Sequence, residues 1–163
     1  MSQSADGPVL KARGIGRRFG DRVVLDGLDL DVEPGEFTAV VGRSGVGKST
    51  LLGIIGLHDP AYGGRITIEG RDVGEMDRAG LASIRRTVIG FVFQDFHLLP
   101  NLTALENVTL PAVFSGADLS AAESQAREVL THLSLRLDDT PTSLLSRGER
   151  QRVAVARGLV NRP

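Results

Sequence analysis

Residues 42–49, Gly42-Arg43-Ser44-Gly45-Val46-Gly47-Lys48-Ser49, satisfy the pattern G-x-x-x-x-G-K-[ST] without a mismatch. Their setting narrows the fold at once. The apolar run 37–41 before them is consistent with a strand buried on both faces, and 50–57 after them reads as a buried helix stopped near Asp59-Pro60. Strand, loop, helix is the order a phosphate-binding loop requires. Glycines permit positive φ and close backbone approach, so successive amides can point at phosphate oxygens while the helix dipole adds to the attraction. Lys48 supplies a mobile ammonium for the β- and γ-phosphates, Ser49 a hydroxyl for Mg²⁺, and Thr50 a contact to the α-phosphate. Gly42, Ser44, Gly45, Gly47, Lys48, Ser49 and Thr50 are therefore the candidate nucleotide ligands, with Lys48 also in a catalytic role. A glycine-rich turn that merely joins strand to helix is the bland alternative, and a full match in this setting outweighs it. The motif leaves the nucleotide and the reaction open, since kinases, GTPases and ATPases share it.

Composition supports a local phosphate site rather than a charged surface. Nineteen basic residues against twenty acidic ones leave a net charge of −1 over 163 residues, so no strong field draws the whole chain to nucleic acid or anionic lipid. The length suits one domain with a real core. Cysteine is absent, which excludes disulfides and thiolate chemistry and fits a reducing compartment, the cytoplasm by default. No apolar run approaches the ~20 residues of a membrane-spanning helix. His58, His97 and His132 have no metal-ligand spacing.

Along the chain, a polar leader (2–7) precedes short β-prone stretches at 9–12, 22–25 and 28–32, separated by Gly20-Asp21 and Asp26-Gly27, which predict a small antiparallel sheet. Glu33-Pro34-Gly35-Glu36 is a turn. A strand is expected at 65–69 ending at Gly70-Arg71-Asp72, a helix at 77–86 and a core strand at 87–93. Helices follow at 98–110 and 120–135, the second with a Ser120/Glu123 capping box, and a last one at 146–160 with Val153, Ala156, Leu159 and Val160 on one side and Arg150, Arg152 and Arg157 elsewhere.

The stretch Leu145-Ser146-Arg147-Gly148-Glu149-Arg150-Gln151-Arg152-Val153-Ala154-Val155-Ala156-Arg157 resembles the L-S-G-G-[EQ] signature of the ATP-binding-cassette (ABC) ATPases with its following Q-R-V-A-x-A-R helix. The block from Ile89 to Val108, through Gln94-Asp95-Phe96-His97-Leu98-Leu99-Pro100, looks like the branch that includes lipoprotein-releasing, macrolide-export and cell-division ATPases. The resemblance runs from Val9 to Pro163. It implies that Ser146 and Gly148 meet the γ-phosphate held by a second subunit, that Gln94 reaches Mg²⁺ or the attacking water, and that Phe19 stacks on adenine. Arg147 departs from the usual first glycine of the signature. Ser146 and Glu149 also make a capping box, so a well-capped surface helix is the plain alternative there; for Phe19 it is a core phenylalanine, and for Gln94 a polar strand end.

The fold the resemblance implies is an α/β P-loop NTPase of ABC type: a central, mostly parallel sheet, an antiparallel β subdomain and an α-helical insertion. The expected organisation is a single incomplete domain over 1–163, with the β subdomain and P-loop core at about 9–97, the helical subdomain at about 98–145 and the signature helix at 146–163. In the family a hydrophobic strand ending in Asp-Glu and a later switch histidine follow the signature helix, and this sequence carries neither. The expectation is thus a fragment that lacks the carboxylates for water activation. The implied function is the ATP- and Mg²⁺-binding subunit of a transporter, on the cytoplasmic face of the membrane, working with permease subunits and a second nucleotide-binding subunit and without nucleic acid. A non-catalytic ATP-binding module, a nucleic-acid-associated cassette ATPase and a small-molecule P-loop kinase are the alternatives, in that order.

Overall fold

The computed structural model describes residues 7–135 and 139–163, which fall into two compact units, Met1–Leu81 and Ala82–Pro163. Of the polar leader, only Gly7 is among the described residues.

In the first unit β1 (Leu10–Phe19) and β2 (Arg22–Val32) form a hairpin closed by Gly20-Asp21, with Phe19 opposite Arg22. Gly20 takes φ 57°, the positive value that a two-residue hairpin loop favours. β3 (Gly63–Ile68) pairs with the other side of β1, and β4 (Arg71–Asp72) returns from it across Glu69-Gly70, both at positive φ. The sheet order is β2-β1-β3-β4, antiparallel throughout. Glu33 to Glu36 is the expected turn, with the Glu36 amide donating to the Glu33 carbonyl at 3.1 Å and Gly35 at φ 75°.

Two sequence expectations shift in this sheet. Asp26-Gly27 is not a turn; β2 runs through it, with Gly27 at φ 65° where the register against β1 slips. β1 also continues well past residue 12, because its polar residues find partners on β2: Arg13 bonds the Asp31 carboxylate and the Gly14 amide donates to Asp29 at 2.7 Å. The Arg13 hydrogen bond holds the Asp31 carboxyl below its ordinary range. Ala12, Ile15, Leu25, Ile66 and Ile68 from the sheet are buried, as are Leu51 and Ile54 of α1 (Lys48–Ile55).

Segments 37–41 and 87–93, expected as strands of the central sheet, carry no ladder. Phe37 is 94% exposed and Val41 84%. Thr87 instead ends α2 (Arg78–Thr87), and the Val88 and Ile89 amides bond back to the Ile84 carbonyl at 2.9 and 3.2 Å. A strand needs a neighbouring strand to take its backbone hydrogen bonds, and neither segment belongs to the four-stranded sheet of the described residues. The pairing that is formed is all antiparallel.

The second unit is built on α3 (Ala104–Phe114), α4 (Leu119–His132) and α5 (Arg147–Leu159). Their shared core takes Val108 and Ala112 from α3, Ala122, Ala126 and Leu130 from α4, and Val153 and Ala156 from α5, with small residues on every helix permitting close approach. α3 starts later than the pattern 98–110 suggests. Buried Asn107 explains this: its Oδ1 accepts from the Leu99 amide at 2.8 Å and its Nδ2 donates to the carbonyls of Leu99, Leu102 and Thr103 at 3.0–3.2 Å, holding 99–103 as a loop. Thr103 and Glu106 then form the capping box. α4 is capped by Asp118, whose carboxylate accepts from the Ser120 amide at 3.0 Å, so the helix begins before the Ser120 expected as its cap.

Gly64, at φ 95°, has no room for a side chain: a Cβ would lie 2.4 Å from the Arg13 carbonyl oxygen and 2.6 Å from that of Gly14. Both obstacles are backbone. Gly64→Ala is expected to lower unfolding free energy by about 2–4 kcal/mol, read as a drop in the urea midpoint; an unchanged midpoint would contradict this β1–β3 packing.

Candidate functional site

The phosphate loop turns on three glycines at positive φ: Gly42 at 154°, Gly45 at 76° and Gly47 at 108°. Gly47 caps α1 in a left-handed conformation, and a Cβ there would stand 2.8 Å from the Val24 side chain and 3.2 Å from the Val24 carbonyl oxygen. Only glycine fits that junction of loop, β2 and helix without displacing them. With no side chain at the cap and no carboxylate in the first turn, the helix start keeps its uncompensated partial positive charge. Lys48 arches back over the loop, its Nζ donating to the carbonyls of Gly42 and Arg43 at 2.9 and 2.8 Å. Arg22 of β2 donates to the Gly45 carbonyl at 3.2 Å. Ser44 and Ser49 are exposed and Thr50 half-buried. Amides, a mobile ammonium and a hard hydroxyl oxygen at one helix end form a cradle that fits a polyphosphate with a divalent cation.

Phe19 closes β1 with 51% of its surface exposed, so the core reading of this residue is set aside. The Arg17 guanidinium carbon lies over its ring, 4.2 Å from the centroid.

Within the second unit, Gln94 and Asp95 form an exposed turn at the edge of an open cleft of about 360 Å³, which Thr142, Arg147 and Arg150 also line. The structure thus brings Gln94 and the first turn of the signature helix to one cleft. Ser146 is the cap of α5: its Oγ accepts from the Glu149 amide at 3.3 Å, and the Glu149 carboxylate accepts from the Ser146 amide at 2.8 Å. Gly148 is exposed, and a Cβ there would meet only an Arg152 nitrogen at 3.9 Å. Nothing inside the described chain requires glycine at that position.

One residue of this region escaped the sequence reading. Arg157, placed there on the side of α5 away from the core, is half-buried and donates to the carbonyls of Phe96 and His97, the latter at 2.6 Å. Those two residues sit at φ 63° and 48°, a conformation that costs an L-residue energy, so α5 pins the turn that carries Gln94. Burial pushes the Arg157 guanidinium pKa down from its ordinary value. The available signal was a lone arginine next to alanines and glycine, Ala156-Arg157-Gly158, where the packing leaves room for a long side chain. Among the described residues no cluster of His, Cys, Asp and Glu could hold a metal by itself, and no helix is long and apolar enough to cross a membrane. Arg157→Ala is expected to destabilise the chain by about 2–3 kcal/mol through two lost charge-assisted bonds, and to raise amide hydrogen exchange at 94–97 before the rest of the unit. Uniform exchange across the unit would show that the turn holds its shape without the arginine.

Residues 25–163 match the family model described as ABC transporter. The chain is 46% identical over 162 residues to the lipoprotein-releasing system ATP-binding protein LolD of Novosphingobium aromaticivorans, covering 96% of this chain and 72% of that protein. It is 44% identical over 160 residues to the macrolide export ATP-binding/permease protein MacB of Marinobacter nauticus, covering 94% of this chain and a quarter (25%) of that one. The dimeric structure of the bacterial ABC transporter cassette MJ0796 superimposes with a TM-score of 0.85 at 37% identity, covering 94% of this chain and 70% of that chain. A second dimeric structure of the same cassette, bound to ADP and Pi in a post-hydrolysis state, gives 0.84. A signature helix capped by Ser146, a glycine-built phosphate loop at 42–49 and these matches converge: the chain belongs to the ABC transporter family, as an ATP-binding cassette of the α/β P-loop class.

Proposed function

We propose that this chain binds ATP with Mg²⁺ at the loop 42–50 and serves as the nucleotide-binding part of a transporter, coupled to membrane permease subunits from the cytoplasmic face. The observation that carries the reading is the start of α1: a helix end with no side-chain cap, three positive-φ glycines and the Lys48 ammonium over one loop. When bound, the nucleotide supplies the phosphoanhydride to be cleaved and Mg²⁺ supplies Lewis acidity.

The chain's own groups divide the remaining work. Gly45, Gly47, Lys48, Ser49 and Thr50 offer amides to phosphate oxygens; Lys48 exchanges its two loop carbonyls for phosphate and offsets negative charge; the Ser49 hydroxyl is an oxygen ligand for the cation. Phe19 gives the base an exposed aromatic face. Gln94 orients water or cation at the cleft it shares with Arg147. Ser146 and Gly148 act toward a second copy's nucleotide. The Ser146 cap uses an oxygen lone pair, which leaves the O–H to donate to an anion, and the bare backbone at Gly148 allows close approach. Dimeric relatives and the permease domains named in MacB favour a second nucleotide-binding subunit and a permease as partners. For hydrolysis, Gln94 would position the water and Lys48 would offset charge on the phosphates, while the water's proton would have to pass to a base other than these two groups.

Titration calorimetry of the purified chain with Mg-ATP, beside Lys48→Ala and a phosphate-release assay, tests this directly. Saturable binding weakened at least about tenfold in Lys48→Ala, the order of one lost charge-assisted contact, is the expected result. Equal binding by both proteins would contradict the assignment. Phosphate release abolished in Gln94→Ala, with Mg-ATP binding kept, would support turnover; binding without release in the unaltered chain would leave a nucleotide-binding module.

A further inference from the structure

Two residues that belong to none of the motifs above connect the aromatic end of β1 to the far end of the phosphate-loop helix. Arg17 lays its guanidinium over the Phe19 ring, 4.2 Å from the centroid, while its Nε donates to Asp59 Oδ2 at 2.9 Å. The pair is largely shielded, with the Arg17 and Asp59 side chains 18% and 26% exposed, so it resists solvent screening better than the open pairs of the sheet. A further Arg17 nitrogen donates to the Arg18 carbonyl at 3.1 Å. Asp59 is itself fixed to the helix that begins at Lys48: its amide donates to the Gly53 carbonyl of α1 at 3.0 Å, and its Oδ1 accepts from the Ala61 amide at 2.9 Å. Phosphate loop, α1, Asp59, Arg17 and Phe19 form one unbroken chain of contacts.

An exposed phenylalanine at a strand end samples several rotamers, and a ligand that stacks on it must bear the cost of ordering it. A guanidinium held over the ring removes that cost beforehand and adds cation–π attraction. We propose that Arg17 is a positioning residue for recognition of the nucleotide base: anchored by Asp59, it backs one face of Phe19 and fixes the ring at a set distance from the phosphate loop, leaving the opposite face for a purine. The proposal rests on the reading of Phe19 as the base platform. Arg17 touches no phosphate in this scheme, so its effect is confined to ligands that carry a base.

The test compares Mg-ATP with Mg-tripolyphosphate, which presents the phosphates without a base, by titration calorimetry on the full chain. The proteins are the unaltered chain, Arg17→Met, Phe19→Ala and the double variant, with Asp59→Asn as a milder substitution that keeps the Oδ1 acceptor for Ala61. Arg17→Met is expected to weaken Mg-ATP about three- to tenfold, as a partly shielded cation–π contact implies, with tripolyphosphate unchanged. Asp59→Asn gives a smaller loss of the same kind, and the double variant binds no more weakly than Phe19→Ala. An equal fall for both ligands, additive losses, or tighter ATP binding in Arg17→Met would overturn the proposal, the last by showing that arginine occupies the face the base needs. Arg17→Met and Asp59→Asn both binding as the unaltered chain does, while Phe19→Ala weakens ATP, would overturn it and leave the platform standing. No effect of Phe19→Ala, or no ATP binding by the unaltered chain, would remove the platform and the proposal with it.

Discussion

The junction at Gly47 is where a strand, a loop and a helix are forced into one arrangement. Its left-handed backbone, at φ 108°, turns the chain into α1 while its bare Cα lies against Val24 and Leu25 of β2. A side chain there would push the helix away from the sheet, and with it the amides of residues 47–50 and the root of Lys48. Because the same residue is the helix cap and has no side chain, the helix end keeps its partial positive charge instead of being neutralised by its own sequence. Packing and the open, positively polarised helix end therefore come from a single structural constraint.

The second unit solves a comparable problem with buried polar groups. Asn107 satisfies the backbone of the loop before α3, and Arg157 satisfies two carbonyls of the turn that follows Gln94. Each replaces regular secondary structure with side-chain hydrogen bonds, and each fixes a segment whose backbone alone would not hold its shape. Gly90 adds a steric device: a Cβ there would sit 2.3 Å from the Gly158 carbonyl oxygen, so the chain before Gln94 rests directly on the backbone of α5. The helix that carries the signature also shapes the glutamine turn.

Much of this was legible in the sequence because local chemistry set it. The spacing of Gly42, Gly47 and Lys48, the Ser146/Glu149 capping box and the Glu33-Pro34-Gly35-Glu36 turn each depend on residues only a few positions apart. What escaped depends on distant partners. Strand signals at 37–41 and 88–93 reflect apolar content, which cannot say whether a neighbouring strand stands beside them. Asp26-Gly27 has turn composition yet serves as a bulge, because β1 supplies a continuing partner on both sides of it. The roles of Asn107 and Arg157 rest on carbonyls brought to them by the fold, and Arg157 bonds a residue 61 positions away. Phe19 stands out in the sequence as an aromatic beside a glycine turn, whereas the Arg17–Asp59 pair next to it spans 42 positions and leaves no pattern to read.

In the function proposed above, backbone amides at the start of α1 receive the phosphates. Residue-resolved amide hydrogen exchange, with and without saturating Mg-ATP, measures this most directly. Slowed exchange concentrated at residues 45–50, reproduced by Mg-tripolyphosphate because the phosphates alone make those contacts, is the expected result. Protection spread evenly over the chain, or confined to other segments with 45–50 unchanged, would contradict it.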